Sequence, residues 1–121
     1  MRSVPDTNVL IDYLCGVEAA HREIELYEEP CISIVTWIEV LVGARDSDDE
    51  ARLRGFLGRF RVLPIDQDVA ERAVRIRRRH RVRVPDAVVW ATAQSARCLL
   101  VTRDVRDFPR DDPGIRVPYR L

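Results

Sequence analysis

Four acidic residues stand at points of the chain where ligand sites commonly form in α/β proteins. Asp6 ends a short apolar stretch and Asp104 follows the apolar run 98–102, so each is predicted to lie beyond the carboxyl end of a strand. Glu39 falls in the first turn of one predicted helix, and Asp86 opens another. Because parallel strands present their carboxyl ends at the same edge of a sheet, we expect these four carboxylates to face one crevice.

Such a cluster points to a hard divalent cation. Neighbouring carboxylates repel each other unless a cation compensates them, and oxygen ligands suit Mg²⁺ or Mn²⁺ rather than zinc. The two histidines, His21 and His80, have no ligand spacing. Asp107, one helical turn after Asp104, is a fifth candidate ligand, although both residues could be ordinary turn residues. The chemistry that remains is attack of metal-activated water on phosphorus.

Helix capping is the structural alternative for the other acids. Asp6 and Thr7 could cap a helix that begins near residue 8. Thr36 and Glu39 have the spacing of a capping box. Asp86 would favour a helix N-terminus through the helix dipole. No single acid therefore proves a site, and the hypothesis depends on their arrangement together.

Composition places the chain among soluble globular proteins. Its 121 residues, 46% of them apolar and 33% charged, fit a single domain spanning 1–121. No apolar run is long enough for a membrane span, and the N-terminus lacks a secretory pattern. Cys15, Cys31 and Cys98 lie far apart without metal-ligand spacing. Free thiols and a cytoplasmic location are expected.

The neutral net charge conceals two halves of opposite sign. Residues 1–60 carry 6 arginines and 12 acids, whereas residues 61–121 carry 14 arginines and 8 acids. The chain has no lysine. Phosphatases and receivers that use an aspartate nucleophile depend on a lysine, and the phosphatases also need a second acid where this chain has Asn8, so that class is disfavoured.

Short apolar runs alternate with helical patterns, which predicts a three-layer α/β/α fold around a largely parallel sheet of four to five strands. The predicted strands are 2–5, 31–35, 62–65, 98–102 and 115–119. The predicted helices are 7–14, 18–28, 36–44, 49–60, 68–80 and 86–96. The helix 68–80 begins with a capping-box spacing of Asp68 and Glu71.

Seven arginines fall between residues 72 and 83. Arg72, Arg75 and Arg79 share one helical face, and Arg81 and Arg83 lead into the helix of Asp86. The tract is therefore expected to border the acidic site and to bind phosphate groups. The alternative is a solvated helix whose C-terminal cations stabilise the helix dipole.

Two further pairs of residues have open roles. Arg103 and Arg106 flank Asp104 and are candidate partners for the carboxylates of the site or for a partner protein. Trp37 and Trp90 lie within apolar helix faces, which favours the core or a dimer interface over stacking on bases.

Four segments resemble the motifs of PIN-domain proteins, and more narrowly those of VapC-type toxins of bacterial and archaeal toxin–antitoxin pairs. They are PDTNVLID at 5–12, SIVTWIEVLVG at 33–43, PDAVVWATA at 85–93 and LVTRDVRDF at 100–108. The resemblance runs in order from about residue 4 to the C-terminus. Any one segment would be weak, whereas four at the family's spacing are specific.

The resemblance implies a metal-dependent endoribonuclease with Mg²⁺ or Mn²⁺ as cofactor, often a homodimer, kept silent by a small VapB-like antitoxin whose tail covers the site. The implied metal-binding acids are Asp6, Glu39, Asp86 and Asp104, with Asp107 as an accessory. The resemblance also implies that Thr7 orients the carboxylate of Asp6 or its water, and that Ser33 and Thr36 shape the turn that presents Glu39. It further implies that the phosphates bound by the arginine tract are those of RNA.

Departures from the family pattern are few. Pro5 stands where many relatives have an aliphatic residue, and Asp104 stands where many have Asn. Neither change removes a ligand. The alternative function is a non-catalytic module with the same fold that only binds RNA or protein. The RNA that is cut, and the number of metal ions, cannot be read from the sequence.

Overall fold

A computed structural model describes residues 2–121. The five short strands are β1 (Ser3–Pro5), β2 (Cys31–Ser33), β3 (Arg61–Leu63), β4 (Leu99–Val101) and β5 (Ile115–Arg116). The six helices are α1 (Thr7–Leu14), α2 (Glu18–Glu25), α3 (Ile34–Val42), α4 (Ser47–Leu57), α5 (Gln67–His80) and α6 (Val84–Ser95). None of the helices among these residues is long and apolar enough to cross a membrane.

All strand pairs are parallel, and they form two hydrogen-bonded ladders. One ladder has the order β1-β4-β5, with Val4 opposite Leu100, and the other pairs β2 with β3. β2 lies beside β1 but is not joined to it by ladder hydrogen bonds. The predicted single sheet is therefore split, while its parallel direction and its strands are as expected.

Two apolar clusters lie on the two faces of these strands. Val4 and Leu100 contribute to a cluster that includes the buried faces of α5 and α6. Ile32 and Val101 belong to the other cluster, which α1 to α4 cover. Alternate side chains of a strand point to opposite faces, so both faces are covered by helices. The predicted α/β/α layering is confirmed.

Helices α1 and α2 begin at the predicted residues, whereas α3 to α6 begin one or two residues earlier, and in α4 and α5 an earlier aspartate caps the helix. Asp46 accepts the Asp49 amide at the start of α4, and Asp66 accepts the Val69 amide at the start of α5. The predicted capping box that began at Asp68 is therefore wrong. The predicted helix 18–28 ends at Glu25, and the last strand is only two residues long.

Two buried acids attach the C-terminal segment to the first two helices. Arg116 of β5 makes two hydrogen bonds to Glu23 of α2, at 2.7 and 2.9 Å. Asp12 of α1 accepts Arg103 Nε at 2.6 Å and the Tyr119 hydroxyl at 2.8 Å. Arg103 thus has a structural partner within the chain, which corrects the expectation that it pairs with the acids of the site or with a partner protein.

The remaining sequence expectations concern packing. Trp90 is 2% exposed and lies in the core against Phe108, whereas Trp37 is partly buried beneath the guanidinium of Arg54. The three cysteines are free thiols, as predicted, and Cys15 is the exposed one.

Candidate active site

Asp6 is placed at the junction of β1 and α1. The strand ends at Pro5, and Asp6 is the N-cap of α1, where its side chain accepts the Thr7 amide at 2.8 Å. Its other carboxylate oxygen accepts the Thr102 hydroxyl at 3.0 Å, and the residue is only 3% exposed. The capping role and the candidate catalytic role therefore belong to the same side chain.

Thr102 connects the end of β4 to two acids. Its hydroxyl donates to Asp6 and accepts the Asp104 amide at 3.0 Å, and Thr102 is fully buried. Asp104 in turn accepts the amides of Arg106 and Asp107, at 2.9 and 3.3 Å. These bonds hold the segment after β4 in a turn that keeps Asp104 close to Asp6. Sequence reasoning did not single out Thr102, although its place at a strand end beside Asp104 was visible.

Glu39 is brought to the same place by α3, but not as a capping-box residue. The cap of α3 is Ser33, whose hydroxyl accepts the Val35 amide at 3.1 Å, so the alternative that Thr36 and Glu39 form a capping box is wrong. Glu39 accepts the Thr7 hydroxyl at 2.6 Å instead. The Thr36 hydroxyl lies 3.0 Å from that of Thr7 inside the protein. Ser33 starts the helix, while Thr7 and Thr36 link α1 to α3 beneath the carboxylate.

Asp86 is presented by the first turn of α6. This helix begins one residue before Pro85, and its N-cap, Arg83, makes no side-chain cap. Arg83 Nε instead donates to Asp86 at 3.1 Å. An acid at the third position of a helix is stabilised by the helix dipole, as the alternative supposed. The Asp86 side chain is nevertheless only 14% exposed and faces the other acids.

One cavity of about 410 Å³, which we call the acidic cleft, collects these side chains. Its polar walls come from six residues: Asp6, Thr7, Asn8, Glu39, Asp86 and Asp104. Asn8 had been considered only as an argument against another enzyme class. Arg83 and three apolar side chains complete the lining: Ile11, Ile38 and Val42, all exposed. The cleft can therefore offer four carboxylates beside an apolar rim.

Asp107 lies outside this cleft. It is exposed and lines a neighbouring cavity of about 520 Å³, together with Asn8 and Asp104. Burial and the Asp104 carboxylate raise the pKa of Asp107 above its ordinary value. Its place is consistent with an accessory position next to the cleft rather than with the main cluster.

Asp6 carries the clearest electrostatic signature in the cleft. Burial raises its pKa to about 6, and the negative charges of Asp86 and Asp104 act in the same direction. Hydrogen bonds from Thr102 and Thr7 oppose the rise. A carboxylate that is buried without a cationic partner favours the binding of a positive ion.

The donor set of the cleft fits a hard divalent cation. All its acids supply oxygen, and the nearest arginine is already hydrogen-bonded to Asp86. Within residues 2–121, no group of three or more carboxylate, histidine or cysteine side chains is arranged so that it could hold a metal ion. Mg²⁺ does not require such a group, because it commonly binds through one or two carboxylates and keeps several waters.

The arginine tract divides into two groups. Arg83 lines the acidic cleft, whereas Arg72, Arg75 and Arg79 line a different cavity between α5 and α6. Arg81 ends α5 in the left-handed conformation, with φ 57°, and is exposed. The expectation that the whole tract borders the acidic site is therefore wrong, because the chain reverses at Arg81 and only the residues beyond it reach the cleft.

Comparison with known proteins identifies the class to which this fold and cleft belong. The model of the PIN domain matches residues 3–111, and the chain belongs to this family. Its structure is similar to a toxin–antitoxin complex chain from Klebsiella pneumoniae, with 40% identity, 98% of this chain and 99% of that chain covered, and a TM-score of 0.92.

More distant solved structures share the fold. A chain of DNA-bound VapBC from Salmonella typhimurium is 28% identical, with 96% of each chain covered and a TM-score of 0.76. A chain of FitAcB from Neisseria gonorrhoeae is 24% identical, with 98% of this chain and 99% of that chain covered and a TM-score of 0.82. No curated protein matches the chain.

Proposed function

We propose that the protein is a Mg²⁺- or Mn²⁺-dependent endoribonuclease and the toxin of a VapBC-type toxin–antitoxin pair. The observation that carries the proposal is the acidic cleft, in which four carboxylates meet and one of them, Asp6, is buried without a cationic partner. Membership in the PIN family and the 40% identity to a chain of a toxin–antitoxin complex support it.

The ion-binding residues in this proposal are Asp6, Glu39, Asp86 and Asp104. When bound, the ion would activate water and neutralise the charge of the scissile phosphodiester. The chain's own contribution is to fix the acids: Thr102 holds Asp6, and Thr7 holds Glu39. Arg83 hydrogen-bonds Asp86 from the exposed rim.

The simplest test compares two neutral replacements. Asp6→Asn removes the buried charge with little change in shape, and Asp48→Asn does the same at an exposed position of α4. We expect Asp6→Asn to lower RNA cleavage by on the order of 10³-fold or more, because several kcal/mol of transition-state stabilisation depend on the ion. Asp48→Asn should cleave like the wild type.

Chelation provides an independent test of the metal. Excess EDTA should abolish cleavage of a mixed-sequence RNA, and Mn²⁺ or Mg²⁺ should restore it. Isothermal titration should detect Mn²⁺ binding to the wild type and its loss in Asp6→Asn. Cleavage that persists in EDTA, or that survives Asp6→Asn, would favour the alternative of a non-catalytic binding module.

The antitoxin is the proposed partner at the apolar rim of the cleft. Ile11, Ile38 and Val42 are 43%, 49% and 79% exposed beside the four carboxylates, so a segment with both apolar and basic side chains would complement this surface. The double variant Ile38→Ser and Val42→Ser should weaken binding of the protein encoded next to this chain's gene. Sedimentation of the isolated chain would test the homodimer that the family resemblance implies.

A further inference from the structure

A second cavity, of about 530 Å³, lies between α5 and α6. We call it the arginine cavity, because Arg72, Arg75, Arg78 and Arg79 line it. Its remaining walls are Ile76, His80, Trp90, Gln94 and Asp112. It shares no lining residue with the acidic cleft.

Three guanidiniums of this cavity form no ion pair among residues 2–121. Arg72 pairs with Asp68 at 2.9 Å, whereas no ion pair involves Arg75, Arg78 or Arg79. These three occupy positions i, i+3 and i+4, so they are neighbours on one face of α5. Like charges held this closely destabilise each other unless an anion lies between them.

The one acid in the wall does not cancel this charge. Asp112 accepts the Gly114 amide at 2.8 Å and makes no ion pair with any arginine of the described chain. The floor is apolar, with Trp90 packed against the His80 ring at a centroid distance of 4.8 Å. The cavity therefore combines several arginines with an aromatic contact at its base, and its volume lies in the range of roughly 300–1,000 Å³ that is typical of ligand pockets.

Two further depressions connect the arginine cavity to the acidic cleft. The first contains His80 and residues 105–111, so it shares His80 with the arginine cavity. The second shares Val105, Arg106 and Asp107 with the first, and Asn8 and Asp104 with the cleft. The shared residues make these depressions neighbours, with walls that carry both arginines and aspartates, so a strand lying along this path would pass from the unpaired arginines to the candidate catalytic acids.

We propose that the arginine cavity is a subsite for single-stranded RNA that binds phosphates flanking the scissile bond. This inference rests on the proposed nuclease function. A cleft of four carboxylates repels a polyanion, so affinity for RNA must come from cations placed elsewhere along the strand. Planar guanidiniums bind phosphate through paired hydrogen bonds. The connecting path favours RNA over an acidic peptide, because the same strand can reach both ends.

The test compares two double variants that remove equal charge. The double variant Arg75→Ala and Arg79→Ala removes two guanidinium groups from the cavity. Arg61→Ala with Arg77→Ala removes two exposed arginines that line neither the cavity nor the path. Binding of a fluorescein-labelled, mixed-sequence single-stranded RNA is measured by anisotropy in EDTA over a range of salt concentrations. The chelator prevents cleavage and makes the binding result independent of catalysis.

We expect the cavity variant to bind RNA more weakly whatever the RNA sequence. The slope of log K against log salt should become shallower by about 1.4, because two phosphate contacts of about 0.7 each are lost. The control should keep the wild-type slope. Arg75→Lys with Arg79→Lys, which keeps the charge, should retain most of the slope and shows whether folding is intact. Cleavage of a dinucleotide, too short to span the path, should be unchanged in the cavity variant.

Each outcome separates this inference from the proposed function. Equal slopes for the cavity variant and the control would overturn the RNA subsite, even if the wild type cleaves RNA. Weaker binding of a polyaspartate peptide with unchanged RNA binding would overturn it in favour of an acidic protein partner. A wild type that binds through these arginines but never cleaves would support the subsite and refute the nuclease.

Discussion

Asp6 and Asp12 are two buried carboxylates at opposite ends of α1, and their surroundings differ in kind. Asp12 accepts hydrogen bonds from the guanidinium of Arg103 and from the phenol hydroxyl of Tyr119. Asp6 accepts only an amide and a hydroxyl and has Asp86 and Asp104 as charged neighbours. One charge is neutralised within the chain, and the other is not.

This difference separates a structural acid from a candidate ligand without any appeal to sequence position. Both residues are almost equally buried, at 3% and 5% exposure, so burial alone does not distinguish them. The distinguishing feature is whether the fold itself supplies the positive charge. Where it does not, the protein keeps a site that an external cation can satisfy.

The largest expected effect on stability is at the Asp12 end. Arg103→Ala leaves Asp12 buried with only Tyr119 as its partner, and loss of one member of a buried pair typically costs 3–5 kcal/mol. Because the Arg103 side chain is 33% exposed, we expect about 3 kcal/mol. Urea denaturation would measure this. The control, Arg106→Ala, should stay within about 0.5 kcal/mol of the wild type, and an equal loss in both variants would contradict the pairing.

In the metal-free protein, ionised Asp6 should destabilise the folded state, whereas the ion pair of Asp12 stabilises it. The pKa of Asp6 is raised in the folded protein. Below about pH 4 the residue is neutral in both folded and unfolded states and does not change the free energy of unfolding. Between about pH 4 and about pH 6 the unfolded chain ionises at this position while the folded protein keeps the proton, so stability falls with rising pH and levels off above about 6. The full loss is roughly 3 kcal/mol at most.

Urea denaturation in EDTA at about pH 4 and about pH 7 checks this prediction. Asp6→Asn lacks the ionisation, so its stability relative to the wild type should increase between the two pH values. Asp48→Asn, with an exposed acid replaced, provides the baseline. If the difference between Asp6→Asn and the wild type stays constant with pH, then Asp6 is compensated within the fold just as Asp12 is.

Thr102→Val tests whether positioning of the acids matters in addition to their charge. The replacement keeps the shape but removes the hydroxyl that joins Asp6 to the Asp104 amide. We expect a 10–100-fold loss of Mn²⁺ affinity or of kcat/KM, the usual cost of removing a group that orients a metal ligand. Thr102→Ser should recover most of this loss, and a serine variant as poor as the valine variant would point to packing instead.

The smallest effect is expected at Arg83. Its side chain is 76% exposed, so its hydrogen bond to Asp86 resembles a surface ion pair, is screened by solvent and should add almost nothing to stability. Denaturation of Arg83→Gln would measure this contribution. A loss of stability as large as that of Arg103→Ala would mean that Asp86, like Asp12, is held by a structural cation.

The positions of the helices and strands were predictable from the sequence because apolar runs and helical periodicity mark them directly. Helix caps were harder, since Thr36 and Glu39 have the spacing of a capping box but Ser33 starts the helix. Glu39 finds its partner in Thr7, 32 residues away, and only tertiary packing can decide between a local and a distant partner.

The grouping of the four cleft acids could be predicted from the sequence because each acid follows a strand or lies near a helix start. The partner of Arg103 could not, since its neighbour in sequence is Asp104 but its neighbour in space is Asp12. The division of the arginine tract also escaped prediction. It depends on a left-handed Arg81, and arginine is not a residue whose type predicts that conformation.

The reversal at Arg81 gives the two charged sites a fixed spacing. The arginine cavity is lined by residues 72–80 of α5 and by Trp90 and Gln94 of α6, and Asp86 lies in the first turn of α6, with only 81–83 between the helices. In the proposed function, the distance between these two sites sets a minimum RNA length. A fragment shorter than this distance can occupy one site or the other, but not both.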